Sequence, residues 1–296
     1  MGTILITGGT GLIGKELTKK LTNKGYTVNI LTRNPTNENE YHWNVKENFI
    51  DKNAFNNVTH IIHLAGAGIT DKRWTNNRKK ELINSRVKSS NLLLKKVKEY
   101  EVPIEGFISA SGIGYYGAIT SDKIFTEKDA PENDFISEIC IKWEDAAFKF
   151  QQLNIPVTIF RTGVVLSKKD GALKKINTPL FLSVLGEGKQ YMPWIHIDDL
   201  CELYIKAVED SDFKGIFNAI APEHQTNESF TKTLATTLRK PLFPFNAPSF
   251  VLKTALGEMA YILLNGSRIS AEKISQFYTF NFPDLQSALN NIYNGR

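Results

Sequence analysis

Ile6-Thr7-Gly8-Gly9-Thr10-Gly11-Leu12-Ile13-Gly14 decides the fold, because a strand ends in it and a helix begins in it. Before it, Thr3 to Thr7 is a short apolar run of strand-forming residues; after it, Leu12 to Leu21 repeats apolar residues at helical spacing. Tyr26 to Leu31 follows as a second strand and completes a predicted βαβ unit. In that setting Gly-x-Gly-x-x-Gly has a physical meaning. Glycine allows the tight strand-to-helix turn, and backbone N–H groups can approach a pyrophosphate, which is favoured at the positive end of the helix. Gly8, Gly9, Thr10, Gly11, Leu12, Ile13 and Gly14 are therefore the predicted seat of a dinucleotide.

Outward from this unit, residues 59–65, 106–110 and 157–166 read as buried strands, and 76–100 and 135–153 have helical period and length. Strands alternating with helices predict an α/β fold: a doubly wound parallel sheet of the Rossmann type, covered on both faces. Residues 1–170 are read as the nucleotide-binding core, with contributions from 195–220, and residues 171–296 as a smaller C-terminal lobe for substrate that includes 248–296. In that lobe 171–185, 198–208, 227–239 and 250–264 read as helices and 215–219 as a strand, punctuated by Pro222, Pro241, Pro244 and Pro248.

Composition sets outer limits. With 42% hydrophobic and 23% charged residues over 296 positions, the chain has enough apolar side chains for a core and a cleft, which excludes disorder as its main state. Lys and Arg exceed Asp and Glu by only five, in scattered pairs such as Lys19-Lys20 and Lys95-Lys96, so no nucleic acid is expected as a partner. Cys140 and Cys201 are too few for a four-cysteine zinc site, and the histidines at 42, 60, 63, 196 and 224 lack metal-ligand spacing. No metal is expected, and free thiols imply a reducing compartment. There is no basic leader at the N-terminus and no apolar stretch of membrane-spanning length, so a cytoplasmic protein without a membrane partner is expected, as a monomer or homodimer.

The end of the second strand selects the dinucleotide. An NAD enzyme would place a carboxylate there for the ribose 2′-OH, but Leu31-Thr32-Arg33-Asn34 offers none before Glu38. Arg33 can grip a 2′-phosphate with parallel bonds and Thr32 can add a hydroxyl, which predicts NADP(H). At His63-Leu64-Ala65-Gly66-Ala67, small residues end another strand. Leu64, Ala65 and Gly66 either let the backbone run along the adenosine side of the cofactor or form a tight turn without a ligand.

These residues, together with Ser109-Ala-Ser-Gly-Ile-Gly-Tyr-Tyr-Gly117, Arg73-Trp74-Thr75, Ser85-Arg86, Trp143-Glu144, Arg161-Thr-Gly-Val-Val-Leu166 and Trp194-Ile-His-Ile-Asp198, resemble the short-chain dehydrogenase/reductase superfamily in its extended, sugar-nucleotide-epimerase-like form. More closely, the chain resembles the atypical group called epimerase family proteins, some of which carry a cell-division-inhibitor label. The stretch from Pro248 through Gly257-Glu258 to Pro283-Asp284-Leu285 is similar to that group's C-terminal domain of unknown function. The resemblance implies a nicotinamide dinucleotide held at Gly8 to Gly14, Thr32, Arg33, Leu64 and Ala65. It also implies Glu81, Arg86 and Val165 beside the cofactor, and an active-site serine at Ser111. The competing reading of Glu81 and Arg86 is a pair of exposed charges on a long helix.

Extended members of that superfamily move a proton with a Tyr-x-x-x-Lys pair, the ammonium lowering the tyrosine pKa. Counting back from Glu144, Cys140 stands where the lysine belongs and Ile136 where the tyrosine belongs. The family's active-site asparagine falls at Ser85, or at Asn84 in a register shifted by one. Tyr115 and Tyr116, just after Ser111, are the replacement candidates: an unassisted phenol is a poor base but an adequate acid, which favours reduction. Ser111, Tyr115 and Tyr116 are thus the expected catalytic residues, with Trp74, Tyr115, Trp194 and Arg161 lining the substrate site. Lys142 points away from Cys140 on the predicted helix, and Asp198 or Asp199 is read as a helix cap. The expected function is an NADP(H)-binding oxidoreductase or epimerase-like protein acting on a small molecule. The alternative is a dinucleotide-sensing regulatory protein without turnover.

Overall fold

The computed structural model describes residues 2–295. Its elements begin β1 (Thr3–Thr7), α1 (Leu12–Asn23), β2 (Thr27–Thr32), β3 (Glu40–Asn44), β4 (Phe49–Ile50), β5 (Val58–His63), α2 (Asn76–Glu99) and β6 (Gly106–Gly112). There follow β7 (Ile124–Phe125), α3 (Phe135–Phe148), β8 (Val157–Thr162), β9 (Val164–Leu166), α4 (Ala172–Ile176), β10 (Trp194–His196), α5 (Ile197–Glu209) and β11 (Gly215–Ala219). The last are α6 (Asn227–Leu238), α7 (Ser249–Leu256), α8 (Tyr261–Leu264), β12 (Arg268–Ile269), α9 (Glu272–Ser275) and α10 (Leu285–Asn294).

Eight strands form one sheet in the order β11-β8-β6-β5-β1-β2-β3-β4, every pair parallel except β3 with β4. The fold is the doubly wound α/β sheet that the sequence predicts. Its central strands β1, β5, β6 and β8 are mostly buried because both faces are covered. All of β1 is buried, and alternate side chains feed opposite layers. Ile4 and Ile6 join Leu17 of α1 and Leu203 of α5, whereas Leu5 joins Leu92, Leu93 and Val97 of α2. Thr75 starts α2 by accepting from the Arg78 N–H at 3.2 Å, and Asp134 starts α3 by accepting from that of Ser137 at 2.8 Å.

The strand order reverses between β1 and β5, which leaves a crevice at their C-terminal ends. The glycine loop and the Leu64 turn both leave the sheet there.

The second half departs from its sequence reading. In 171–185 the helix is only α4; Pro179 disfavours helix beyond it, and Leu182 and Leu185 bridge to Leu242 and Ala247. The helix read over 250–264 is interrupted at Gly257, whose φ of +62° separates α7 from a 3₁₀ turn and α8. The β3–β4 hairpin leaves no signal in the sequence, because its strands are too short to show a period. β11 forms one edge of the main sheet and α5 packs on its core, while β10 pairs with β9 in a separate two-stranded sheet, and α6 and α10 bury Phe230, Leu234, Leu285 and Leu289 with Trp194 in a separate core. Among the described residues no helix is long and apolar enough to cross a membrane.

Candidate functional site

The glycine loop is a cradle with no room for side chains. Gly8 takes a φ of +73°, and a Cβ on it would lie 2.9 Å from the Leu64 carbonyl carbon. A Cβ on Gly14 would lie 2.3 Å from the Gly8 oxygen, so α1 can sit this close to the loop only with glycine there. Gly11 caps α1 without a side-chain bond, and the first turn carries no acid, so its N–H groups have no competing side-chain anion. Gly171 brings Leu12 and the Val165 carbonyl to one edge of this loop.

A hydrogen-bond relay fixes the two sides of the crevice. Ala65 N–H donates to Thr7 Oγ1 at 3.2 Å, which lies 2.7 Å from His63 Nδ1; His63 Nε2 lies 3.2 Å from Ser89 Oγ. The Ser89 proton is committed to the Ser85 or Arg86 carbonyl, at 2.7 and 2.9 Å, so Nε2 must donate and Nδ1 must accept from Thr7. Burial holds the His63 pKa down to about 4 and the ring neutral, as this relay requires.

At the end of β2 the Arg33 side chain is exposed and in no ion pair among the described residues; Thr32 Oγ1 accepts weakly from the Asn34 N–H at 3.5 Å. Glu81 is exposed and pairs with Arg78 at 2.8 Å, whose other arm reaches the Gly68 carbonyl at 2.5 Å. It acts on the turn through Arg78. Arg86 is buried under Gly66, stacked on Trp143 at 4.7 Å, and its Nε has no partner among the described residues. Burial lowers its pKa to about 10. Ser85, not Asn84, faces the crevice: its hydroxyl accepts from the Ala67 N–H at 3.0 Å while Asn84 is exposed.

Beyond the end of β6, the α3 face that would carry the missing pair is sealed. Ile136 packs on Gly114, and the Cys140 sulfur approaches both Gly112 and Gly114. Burial pushes the Cys140 thiol up to about 12, so it is an inert core group. Lys142 points out and pairs with Glu138 at 2.5 Å.

The polar centre here is one that sequence reasoning did not assemble. Arg161 on β8 grips Glu144 on α3 through Nε and Nη2 at 2.9 and 2.8 Å, and Ser111 donates to the same carboxylate at 2.7 Å. Arg161 Nη1 also donates to the Tyr116 hydroxyl at 2.9 Å, which donates to Asn218 Oδ1 at 2.7 Å. The available signals were the Trp143-Glu144 and Arg161-Thr-Gly motifs.

Three expectations are corrected. Tyr116 is fully buried in this network, with its pKa raised by burial to about 12, so it is a structural residue and not a proton donor to substrate. Trp194 and Arg161 are likewise buried and do not line an open site, whereas Trp74 is partly exposed and donates to the Ile69 carbonyl at 2.9 Å. The cap of α5 is His196, which accepts from the Asp198 N–H at 3.1 Å; Asp199 instead accepts from Asn281 and Phe282.

Tyr115 remains half-exposed, with the Arg161 guanidinium 3.3 Å from its ring centroid and no hydrogen bond to its hydroxyl among the described residues. A cleft of about 910 Å³ opens between this loop and the C-terminal segment, lined by Thr120, Gln190, Lys253, Glu258 and Tyr261. The segment reaches back to α2 through the Lys79–Glu258 ion pair. No three His, Cys, Asp or Glu side chains among the described residues are placed to hold a metal ion.

Residues 4–219 match the NAD dependent epimerase/dehydratase family, and residues 247–292 match a domain of unknown function, DUF1731. Epimerase family protein MT2273 of Mycobacterium tuberculosis is 34% identical over 87% of this chain and 85% of its own length. Mouse epimerase family protein SDR39U1 is 30% identical over 98% of this chain and 99% of its own. The crystal structure of human SDR39U1 (isoform 2) with NADPH superposes with a TM-score of 0.88 at 28% identity, covering 99% of this chain and 100% of that one.

Proposed function

We propose, from the premise that this chain belongs to the NAD dependent epimerase/dehydratase family, that it binds NADP(H) and acts as an oxidoreductase on a small substrate. The observation that carries this reading is the pairing of a glycine cradle with an unpaired Arg33 where a carboxylate would select NAD. The NADPH in the human relative agrees with it. The residues present fit the group. Gly8 to Gly14 leave space and free N–H groups for a pyrophosphate, Arg33 and Thr32 would take the 2′-phosphate, and the unpartnered Arg86 Nε lies under the Gly66 turn. Leu64, Ala65 and Val165 border the same crevice. When bound, the nicotinamide supplies or accepts a hydride.

The chain's own task is to orient the substrate and move one proton. Ser111 has committed its proton to Glu144, so it offers lone pairs and holds a donor such as a substrate hydroxyl. The Tyr115 hydroxyl has no partner among the described residues and would supply the proton to a carbonyl oxygen being reduced. The packing of Ile136 on Gly114 and the burial of Cys140 at the usual pair positions favour a second reading, a dinucleotide sensor without turnover.

Cofactor titration by fluorescence tests the first reading. NADPH should bind at least tenfold more tightly than NADH, and Arg33→Ala should remove the difference; equal affinities in the unaltered protein would sink the assignment. Oxidation of bound NADPH by a carbonyl panel, lost in Tyr115→Phe, separates the enzyme from the sensor.

A further inference from the structure

Two stretches of the C-terminal lobe lie side by side and turn large apolar side chains outward. Leu182 N–H donates to the Pro241 carbonyl at 3.0 Å, Phe243 N–H to that of Leu182 at 2.7 Å, and Ala247 N–H to that of Val184 at 2.8 Å. This ribbon holds Phe181 stacked on Phe243 at 4.8 Å, with Phe245 edge-on to Phe243 at 6.1 Å. Leu180 and Phe245 are 77% and 72% exposed. The next element, α7, has the sequence Ser-Phe-Val-Leu-Lys-Thr-Ala-Leu and no buried residue, and its Phe250 is 71% exposed. An apolar helix left outside the core leaves its hydrophobic face unaccounted for.

The charge around this face is net positive: its flanking acids, Glu187 and Glu258, are each held in an ion pair, with Lys189 and Lys79. Residues 171–186 and 239–257 contain no Asp or Glu, yet they carry Lys174, Lys175, Arg239, Lys240 and Lys253. None of these five forms an ion pair among the described residues. The complementary partner is therefore anionic as well as apolar. A second copy meeting this face across a two-fold axis would bring like charges together. A docked peptide helix would need a groove, whose lining is half-covered, whereas side chains more than two-thirds exposed stand proud of the surface.

We propose that this face binds the surface of an anionic phospholipid bilayer, with Leu180, Phe245 and Phe250 entering the acyl region and Lys174, Lys175, Arg239 and Lys253 at the headgroups. Aromatic and aliphatic tips ringed by lysine are what such an interface requires, and the binding mode is lying on the membrane rather than crossing it. α7 also contributes Ser249 and Lys253 to the wall of the 910 Å³ cleft, so the attachment face and the cleft share a helix. The proposal does not rest on cofactor binding.

Co-sedimentation of the full chain with vesicles tests it. Vesicles of phosphatidylcholine with about a third phosphatidylglycerol should capture the protein at low salt, and pure phosphatidylcholine should not. Phe245→Ser with Phe250→Ser should weaken capture at least tenfold, roughly the worth of one buried aromatic side chain. Lys174→Gln and Lys175→Gln, on exposed residues that leave folding intact, should each weaken it about fivefold. The proposal is overturned by failure to bind anionic vesicles, by capture that these substitutions leave unchanged, or by competition from millimolar inorganic phosphate, which would mark a simple anion site. It is equally overturned by a dimer in sedimentation velocity, or by an acidic-peptide complex, that the phenylalanine substitutions abolish while vesicle capture persists.

Discussion

Glu144 on α3 and Arg161 on β8 form a two-pronged ion pair at 2.9 and 2.8 Å, 5% and 1% exposed at their side chains, below the end of β6. It joins the helix to the sheet at the point where Ser111 is fixed. Two buried charges repay their desolvation only with such geometry, and breaking one side leaves the other uncompensated. Glu144→Gln should therefore cost about 3–5 kcal/mol in urea unfolding, and Glu144→Leu with Arg161→Met considerably less. A single-variant cost below about 1 kcal/mol would show that the pair is not the tie described.

Tyr115 and Tyr116 should separate in function. Tyr116→Phe leaves Asn218 Oδ1 and Arg161 Nη1 short of a partner and should lower stability by about 1–3 kcal/mol with hydride transfer nearly unchanged. Tyr115→Phe should do the reverse: unaltered unfolding, and transfer slowed about a hundredfold or more. Stopped-flow absorbance on both variants decides, and equal slowing would refute the division.

His63 makes stability pH-dependent. Its folded pKa of about 4 lies below its unfolded value of about 6.5, so on acidification the unfolded chain takes up a proton first. The contribution is complete above the unfolded pKa and declines as pH falls toward 4, amounting to about 2 kcal/mol lost between about pH 7 and pH 5. Urea unfolding at both values should show a smaller drop for His63→Gln. His60, His196 and His224, also lowered by burial, would leave a residual slope of the same sign.

Gly14 tolerates no methyl group because a Cβ there would meet only backbone, 2.3 Å from the Gly8 oxygen and 2.5 Å from the Gly9 Cα. Gly14→Ala should destabilise by about 1–3 kcal/mol and abolish dinucleotide binding. For Gly11→Ala the one contact is at 3.3 Å from the Gly8 oxygen, and the loss in thermal unfolding should be small. Similar losses for both would mean that the loop shifts freely.

Local sequence determined much of this protein, because its signals act over a few residues. The period of Leu12 to Leu21, the apolar run Thr3 to Thr7 and the glycines between them specify strand, turn and helix without reference to the rest of the chain. Repeating that alternation specifies a parallel sheet with covered faces. The short β3–β4 hairpin and the ribbon of 178–186 with 241–247 were invisible, since neither is long enough to show a period and each is held by partners remote in sequence. Tertiary structure alone decided which polar groups meet. Ser111, Glu144, Arg161, Tyr116 and Asn218 come from four segments, and only their burial together turns Tyr116 from a candidate acid into a core residue and commits the Ser111 proton to Glu144. Spacing along the chain predicts which face a side chain takes, but a proton's position depends on every neighbour within hydrogen-bond reach.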